Sequence, residues 1–212
     1  MPPRVVVFDL GKVLLDFDYG IAVRKLQSAG RLTFRELLRF IDQSPLLFRY
    51  ETGLLTTGEF FAELREASGF RGSLDEFSDL FGDIFSPIDP MIELHARLRG
   101  RGVPTFILSN TNELAIRHIR RRFAFFRNFD GYVLSYEHGA MKPDAKLYEV
   151  IEQVSGRQGA ELLYIDDRPE NVAAGAARGW QSILHEDPEK TRVAVQRSGV
   201  LDHCPWSNAS SE

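Results

Sequence analysis

Asp9 closes the apolar run Val5-Val6-Val7-Phe8, Asp166 and Asp167 follow Leu162 to Ile165, and Ser109-Asn110-Thr111-Asn112 follows a run ending at Leu108. A fourth run, Gly131 to Leu134, leads through a loop to Lys142-Pro143. A single acidic residue after a strand is usually a turn or cap residue. Their common position alters that reading, because ligands of an open α/β sheet sit outside the carboxyl ends of its strands. Three carboxylates gathered at one sheet edge repel one another unless a divalent cation and an ammonium group neutralise them. Mg2+ fits that requirement, being a hard ion that takes one or two carboxylates together with water and phosphate oxygens.

The elements that must position these residues are short runs rich in β-branched side chains: Arg4 to Phe8, Val103 to Leu108, Gly131 to Leu134, Leu162 to Ile165 and Gln181 to Leu184. Helical patterns separate them, and the alternation predicts an α/β fold, a Rossmann-like doubly wound parallel sheet with helices on both faces. One helix is well punctuated, with Asp89 as N-cap, Pro90 at the first position, Met91, Leu94, His95 and Leu98 on one face, and a stop at Gly100. Residues 16–88 break the rhythm with several helical patterns and no convincing strand. They read as an inserted α-helical cap, leaving 1–15 with 89–212 as the core. Three capping boxes support its helices, at Thr33 to Glu36, Thr56 to Glu59 and Ser73 to Glu76. Phe60, Phe61, Leu64 and Ala67, like Phe77, Leu80, Phe81 and Ile84, recur at helical spacing and read as cap core. Loops near Asp16 to Gly20 and Ser86 to Pro90 would be the two hinges.

Composition narrows the partners. Twenty-six Lys+Arg against 30 Asp+Glu give a net charge of -4, so no global basic field exists to hold nucleic acid or an anionic membrane. Arg117, Arg120, Arg121, Arg122 and Arg127 form the one basic concentration, and with Phe123, Phe125 and Phe126 interleaved they read as a solvated structural face. No apolar segment approaches the ~20 residues a bilayer demands, and no signal-type N-terminus precedes the first strand, so a cytoplasmic location is expected. Cys204 is the single cysteine, and His95, His118, His138, His185 and His203 lack paired metal-ligand spacing. The tail from about Asp202 reads as loosely ordered, and a monomer or weak homodimer is expected.

The motifs together resemble those of the haloacid dehalogenase-like (HAD) hydrolases over essentially the whole chain. Val7-Phe8-Asp9-Leu10-Gly11-Lys12-Val13-Leu14 is similar to the first family motif, Leu108-Ser109-Asn110 to the second, Lys142-Pro143-Asp144 to the third and Ile165-Asp166-Asp167-Arg168-Pro169-Glu170-Asn171 to the fourth. The resemblance implies a Mg2+-dependent phosphatase acting on a small phosphate ester. Asp9 would attack phosphorus and form an aspartyl-phosphate. Ser109 and Asn110 would hold phosphate oxygens, and Lys142 would screen the repulsion between nucleophile and substrate. The metal would bind Asp9, the Gly11 carbonyl and Asp167, with Asp166 coordinating through water or orienting the site.

One departure qualifies this reading. Many phosphatases of the family carry a second Asp two residues after the nucleophile, to protonate the leaving oxygen, and here that position is Gly11. General acid–base catalysis typically contributes ~10²–10⁴-fold, so a good leaving group would suffer least from the loss. The Asp-Leu-Gly form resembles a branch that includes an α-glucose-1-phosphate phosphatase, which implies a sugar 1-phosphate with its more acidic anomeric leaving group. Asp16 or Asp18 could take over the proton transfer, though a hinge turn or helix cap is the plainer role for either. Two alternatives stand beside the phosphatase: a 2-haloacid dehalogenase, against which the Asp166-Asp167 pair argues, and a non-catalytic phosphometabolite-binding protein, motivated by Gly11 alone.

Overall fold

The computed structural model describes residues 1–27 and 44–201. The Thr33 capping box, His203, Cys204 and the tail lie outside the described residues. Five strands, β1 (Val5–Phe8), β4 (Thr105–Ser109), β5 (Gly131–Leu134), β6 (Leu162–Asp166) and β7 (Gln181–Leu184), form one sheet in the order β5-β4-β1-β6-β7. Every pairing in it is parallel. β1 is fully buried, and its side chains alternate between two cores as a pleated strand requires. Val6 and Phe8 face a cluster with α5 (Asp89–Gly100), α6 (Glu113–Arg122) and α10 (Pro188–Arg197). Val5 and Val7 face Tyr148, Ile151 and Trp180 on the side of α8 (Ala145–Ser155) and α9 (Pro169–Ala177).

Register sets the site. Phe8 is level with Ile107 on one side and Ile165 on the other, so the chain exits β1, β4 and β6 within about one residue of the same height. Asp9, Ser109 and Asp166 therefore share one edge. The four-residue α7 (Ser135–His138) follows β5 and leads to the Lys142 loop.

Between β1 and α5 the chain makes helices α1 (Tyr19–Gln27), α2 (Pro45–Glu51), α3 (Thr57–Ser68) and α4 (Leu74–Gly82). The last three pack around Tyr50, Phe60, Phe61, Phe77 and Phe81, a core of their own, with the Tyr50 and Phe60 rings stacked 4.3 Å apart. Both capping boxes of this region that fall among the described residues form as expected: Thr56 and Ser73 accept from the Glu59 and Glu76 amides, and each Glu returns the bond.

Two expectations are corrected. The hinges were expected to be loops in a strandless insert, yet β2 (Leu15–Phe17) and β3 (Phe85–Pro87) pair antiparallel, with Asp16 opposite Ser86. Three-residue strands 68 positions apart carry no usable period, so only the fold brings them together. The N-cap of α5 is Ile88 rather than Asp89, because Pro90 takes the second helical position; Asp89 contributes acidity to the first turn without capping it.

The basic face behaves as a structural one. Arg117 donates to the Ser78 hydroxyl at 3.0 Å, Arg121 lies 3.8 Å from Asp79, and the Arg120 guanidinium lies over the Tyr132 ring. Buried His95 meets the Thr105 hydroxyl at 3.1 Å and stacks on Phe129, and His185 meets Thr191. No helix among the described residues is long and apolar enough to cross a membrane.

Candidate active site

β1 ends in a tight reversal. The Leu14 and Leu15 amides both donate to the Leu10 carbonyl, Lys12 adopts a φ of 58°, and the chain returns as β2. The reversal leaves Asp9 at the sheet edge, 7% exposed, with its Oδ1 accepting from the Leu10 amide at 2.7 Å. Gly11 is tightly constrained: a Cβ there would meet the Phe17 ring at 2.9 Å. Phe17, delivered by β2, occupies the space that a larger residue two positions after Asp9 would need.

Lys142 is the hub. Its side chain is 1% exposed, and Nζ lies 2.8 Å from Asp9 and 2.7 Å from Asp166 while donating to the Leu108 carbonyl at 2.9 Å. Asn110 fixes the lysine from below, its Oδ1 accepting from the Lys142 amide at 2.7 Å and its Nδ2 donating to the Lys142 carbonyl at 3.1 Å. Asn110 borders the cavity, but both polar atoms of its side chain are engaged with this backbone. Asp166 is wholly buried and accepts from Lys142, the Tyr164 hydroxyl, the Arg168 amide at 2.8 Å and the Asn171 amide at 3.0 Å. Asp167 is partly exposed beside it. Ser109, 2% exposed, ends β4, and Asn112 caps α6 by accepting from the Ala115 amide.

One carboxyl oxygen each from Asp9, Asp166 and Asp167 falls within a 4.8 Å cluster. Their charge is unevenly compensated. Burial works against ionised Asp166, but Lys142 and the other donors outweigh it and hold its carboxyl below the usual range. For Asp9 burial prevails over Lys142, with Asp166 adding repulsion, and its carboxyl is pushed up. Burial and Asp166 also push Asp167 up. The lysine stays a cation, since the two carboxylates more than offset its own desolvation. One ammonium thus faces three carboxylates, and the residues carrying the surplus are Asp9 and Asp167. An all-oxygen donor set with excess negative charge is what a hard divalent cation requires, so these residues fit Mg2+.

Above the edge opens a cavity of about 740 Å³, lined by Asp9, Ser109, Lys142 and Asp167 from the sheet and by Leu47, Phe48 and Glu51 from α2. The two sides are joined at that point. The Leu114 amide donates to the Tyr50 hydroxyl at 3.1 Å, and the Ser135 hydroxyl donates to the Glu51 carbonyl at 2.6 Å. Of the residues singled out from the sequence, Asp9, Gly11, Ser109, Asn110, Lys142 and Asp167 border this cavity, while Asp166 stands behind them. Glu51 was missed: on α2 it reads as one more polar position, and only the docking of α2 over the sheet edge brings it to the cleft.

A profile of the haloacid dehalogenase-like hydrolases matches residues 3–179. The chain belongs to that family. This hydrolase is 25% identical over 197 residues to a sesquiterpene phosphatase, astK, of Aspergillus oryzae, spanning 92% of this chain and 95% of that one. It is 24% identical to a D-ribitol-5-phosphate phosphatase of Bacteroides thetaiotaomicron, spanning 86% and 91% of the two. Among solved structures, a Bacteroides thetaiotaomicron HAD family enzyme, bt-2542, in complex with magnesium and inorganic phosphate superposes with a TM-score of 0.75 at 23% identity, over 87% of this chain and 96% of that one. The expected α/β fold is therefore the observed one, and relatives named as phosphatases cover almost the whole hydrolase.

Proposed function

We propose that this hydrolase is a Mg2+-dependent phosphatase that cleaves a small phosphate monoester through an aspartyl-phosphate on Asp9. The observation that carries the reading is Lys142 shared between Asp9 and Asp166 at the floor of the cavity, with Asp167 alongside. A buried carboxylate held by an ammonium and opening on a cleft is poised as a nucleophile.

Asp9, Asp167 and the Gly11 carbonyl would hold Mg2+, which when bound withdraws charge from the phosphoryl oxygens and from Asp9. Asp166, with its oxygens already occupied by four donors, orients Lys142 and the start of α9. Lys142 offsets the repulsion between the Asp9 carboxylate and the incoming dianion. Ser109 and the Asn110 amide, just ahead of α6, receive phosphate oxygens, while the Thr111 amide is taken by the Ser135 hydroxyl at 2.9 Å. Asn110 serves that grip by locking Lys142 to the end of β4.

The size and lining of the cavity support a small substrate. Leu47 and Phe48 give it apolar wall, and its volume suits the body of a small metabolite. A sugar 1-phosphate is the proposed substrate, because Gly11 carries no acid beside the nucleophile and an anomeric alcohol needs the least help from an acid supplied elsewhere. Hydrolysis of p-nitrophenyl phosphate with and without Mg2+, in the native hydrolase and in Asp9→Asn, tests the chemistry. Activity only with metal and only with Asp9 is expected; equal rates in the two proteins overturn it. Among sugar phosphates, cleavage of 6-phosphates as fast as 1-phosphates removes the anomeric preference.

A further inference from the structure

We propose that Glu51, reaching the cavity from α2, is the acid that protonates the leaving oxygen and the base that then activates water, in place of the group absent at Gly11. This rests on the phosphatase reading above. Four carboxyl-bearing residues line the cavity among the described residues: Asp9, Asp18, Glu51 and Asp167. Asp9 is the nucleophile and Asp167 lies in the metal cluster. Asp18 is committed elsewhere, one oxygen accepting from the Gly20 amide at 2.7 Å and the other 3.2 Å from Arg24, with its side chain 60% exposed. Asp16, which does not line the cavity, accepts from the Phe17 amide and pairs with Lys12, whose hydrogen bond holds its carboxyl below the usual range. A carboxylate held ionised in that way is a poor proton donor near neutral pH. Among the described residues Glu51 remains.

Its surroundings suit the role. Among the described residues no ion pair reaches Glu51, although Lys12, Arg24 and Arg168 border the same cavity. Burial pushes its carboxyl up to about 7, with a hydrogen bond from the Asn112 side chain pulling the other way, so both protonation states are accessible at neutral pH. The backbone beneath it is fixed to the core: Ser135 donates to its carbonyl, and its neighbour Tyr50 accepts from Leu114. It lines the cavity from α2 while Asp9 lines it from the end of β1, so the acid and the nucleophile reach one substrate from different elements. The Phe17 ring meanwhile closes the space beside Gly11, the family's usual location for the acid.

The proton balance closes over two steps. An Asp9 oxygen bonds to phosphorus as the P–O bond to the alcohol breaks; the leaving oxygen keeps the electron pair and takes the Glu51 proton. Water then attacks phosphorus, gives its proton to Glu51 and displaces the Asp9 carboxylate, yielding inorganic phosphate and neutral Glu51.

The test compares Glu51→Gln with the native hydrolase on p-nitrophenyl phosphate and on an alkyl phosphate, by rapid quench. An acid matters little to nitrophenolate and greatly to an alkoxide. Expected for Glu51→Gln are a fast burst of about one nitrophenolate per enzyme followed by slow turnover, and a first step on the alkyl ester slowed by ~10²-fold or more. Glu51→Ala with added formate should recover part of the alkyl-ester rate, which covers the case of a misfolded Gln variant. An equal loss on both esters in the first step, no loss on either, or no formate recovery overturns the assignment. Failure of the phosphatase reading is distinct: the native hydrolase would then turn over neither ester, or Asp9→Asn would turn over both.

Discussion

Replacing Lys142 with Met should destabilise the metal-free hydrolase far more than an ordinary surface change. The methionine fills nearly the same volume, so no cavity opens, and what is lost is the cation. Nζ holds Asp9 at 2.8 Å, Asp166 at 2.7 Å and the Leu108 carbonyl at 2.9 Å, in a side chain 1% exposed. Removing one partner of a buried ion pair typically costs about 3–5 kcal/mol, because the other is left charged in a poor solvent. In a chain of this length each kcal/mol shifts Tm by about 2–4 °C, so a fall of roughly 6–20 °C is expected at pH 8 in the presence of a chelator. The sign of the pH dependence follows from Asp9. Its carboxyl is already pushed up in the folded state, and losing Lys142 pushes it further, so above the unfolded value of 3.8 the folded chain binds more protons than the unfolded one. Stability then falls as pH rises, and the deficit of Lys142→Met should shrink at pH 5 and grow at pH 8. Thermal melts of both proteins at the two pH values measure it. A fall under about 2 °C at pH 8, or an equal deficit at both pH values, would show that the lysine is not what balances these carboxylates.

Three further outcomes follow from the same contacts. Asn110→Ala removes both hydrogen bonds to the Lys142 backbone, costing about 2–3 kcal/mol at ~1 each plus an exposed pair of polar groups, and should lower kcat with little change in KM, as read from melts and steady-state kinetics. Gly11→Asp forces a Cβ to within 2.9 Å of Phe17, so it should destabilise by about 1–3 kcal/mol, and pairing it with Phe17→Ala should give less than the sum of the two single losses; full additivity would contradict the clash. Glu51, raised from 4.5 to about 7, makes the folded state the better proton binder between those values, so stability falls as pH rises through that window, by about 1–2 kcal/mol allowing for solvent at its exposed edge. Glu51→Gln should flatten that part of the profile and raise Tm at pH 8.

The sheet was legible because a buried parallel strand is a near-continuous apolar run, and Val5 to Phe8 or Leu162 to Ile165 hardly reads as anything else. The polar residues ending those runs fall together because parallel strands in register end at one edge, which is why the sequence alone groups Asp9, Lys142, Asp166 and Asp167. Chemistry between distant elements was hidden. β2 and β3 pair across the whole insert, the Phe17 ring reaches back to Gly11, and Glu51 reaches the cleft through the packing of α2 on α6 and α7, none of which leaves a local period. The engagement of Asn110 with Lys142 was hidden for the same reason, although both residues were singled out.

Acid quench of the hydrolase during turnover of p-nitrophenyl phosphate with Mg2+, followed by peptide mapping, addresses Asp9 most directly. One phosphoryl group should be found on the peptide carrying Asp9, with none in Asp9→Asn or without metal. A phosphoryl group on another residue, or undiminished turnover in Asp9→Asn, would contradict a nucleophilic Asp9.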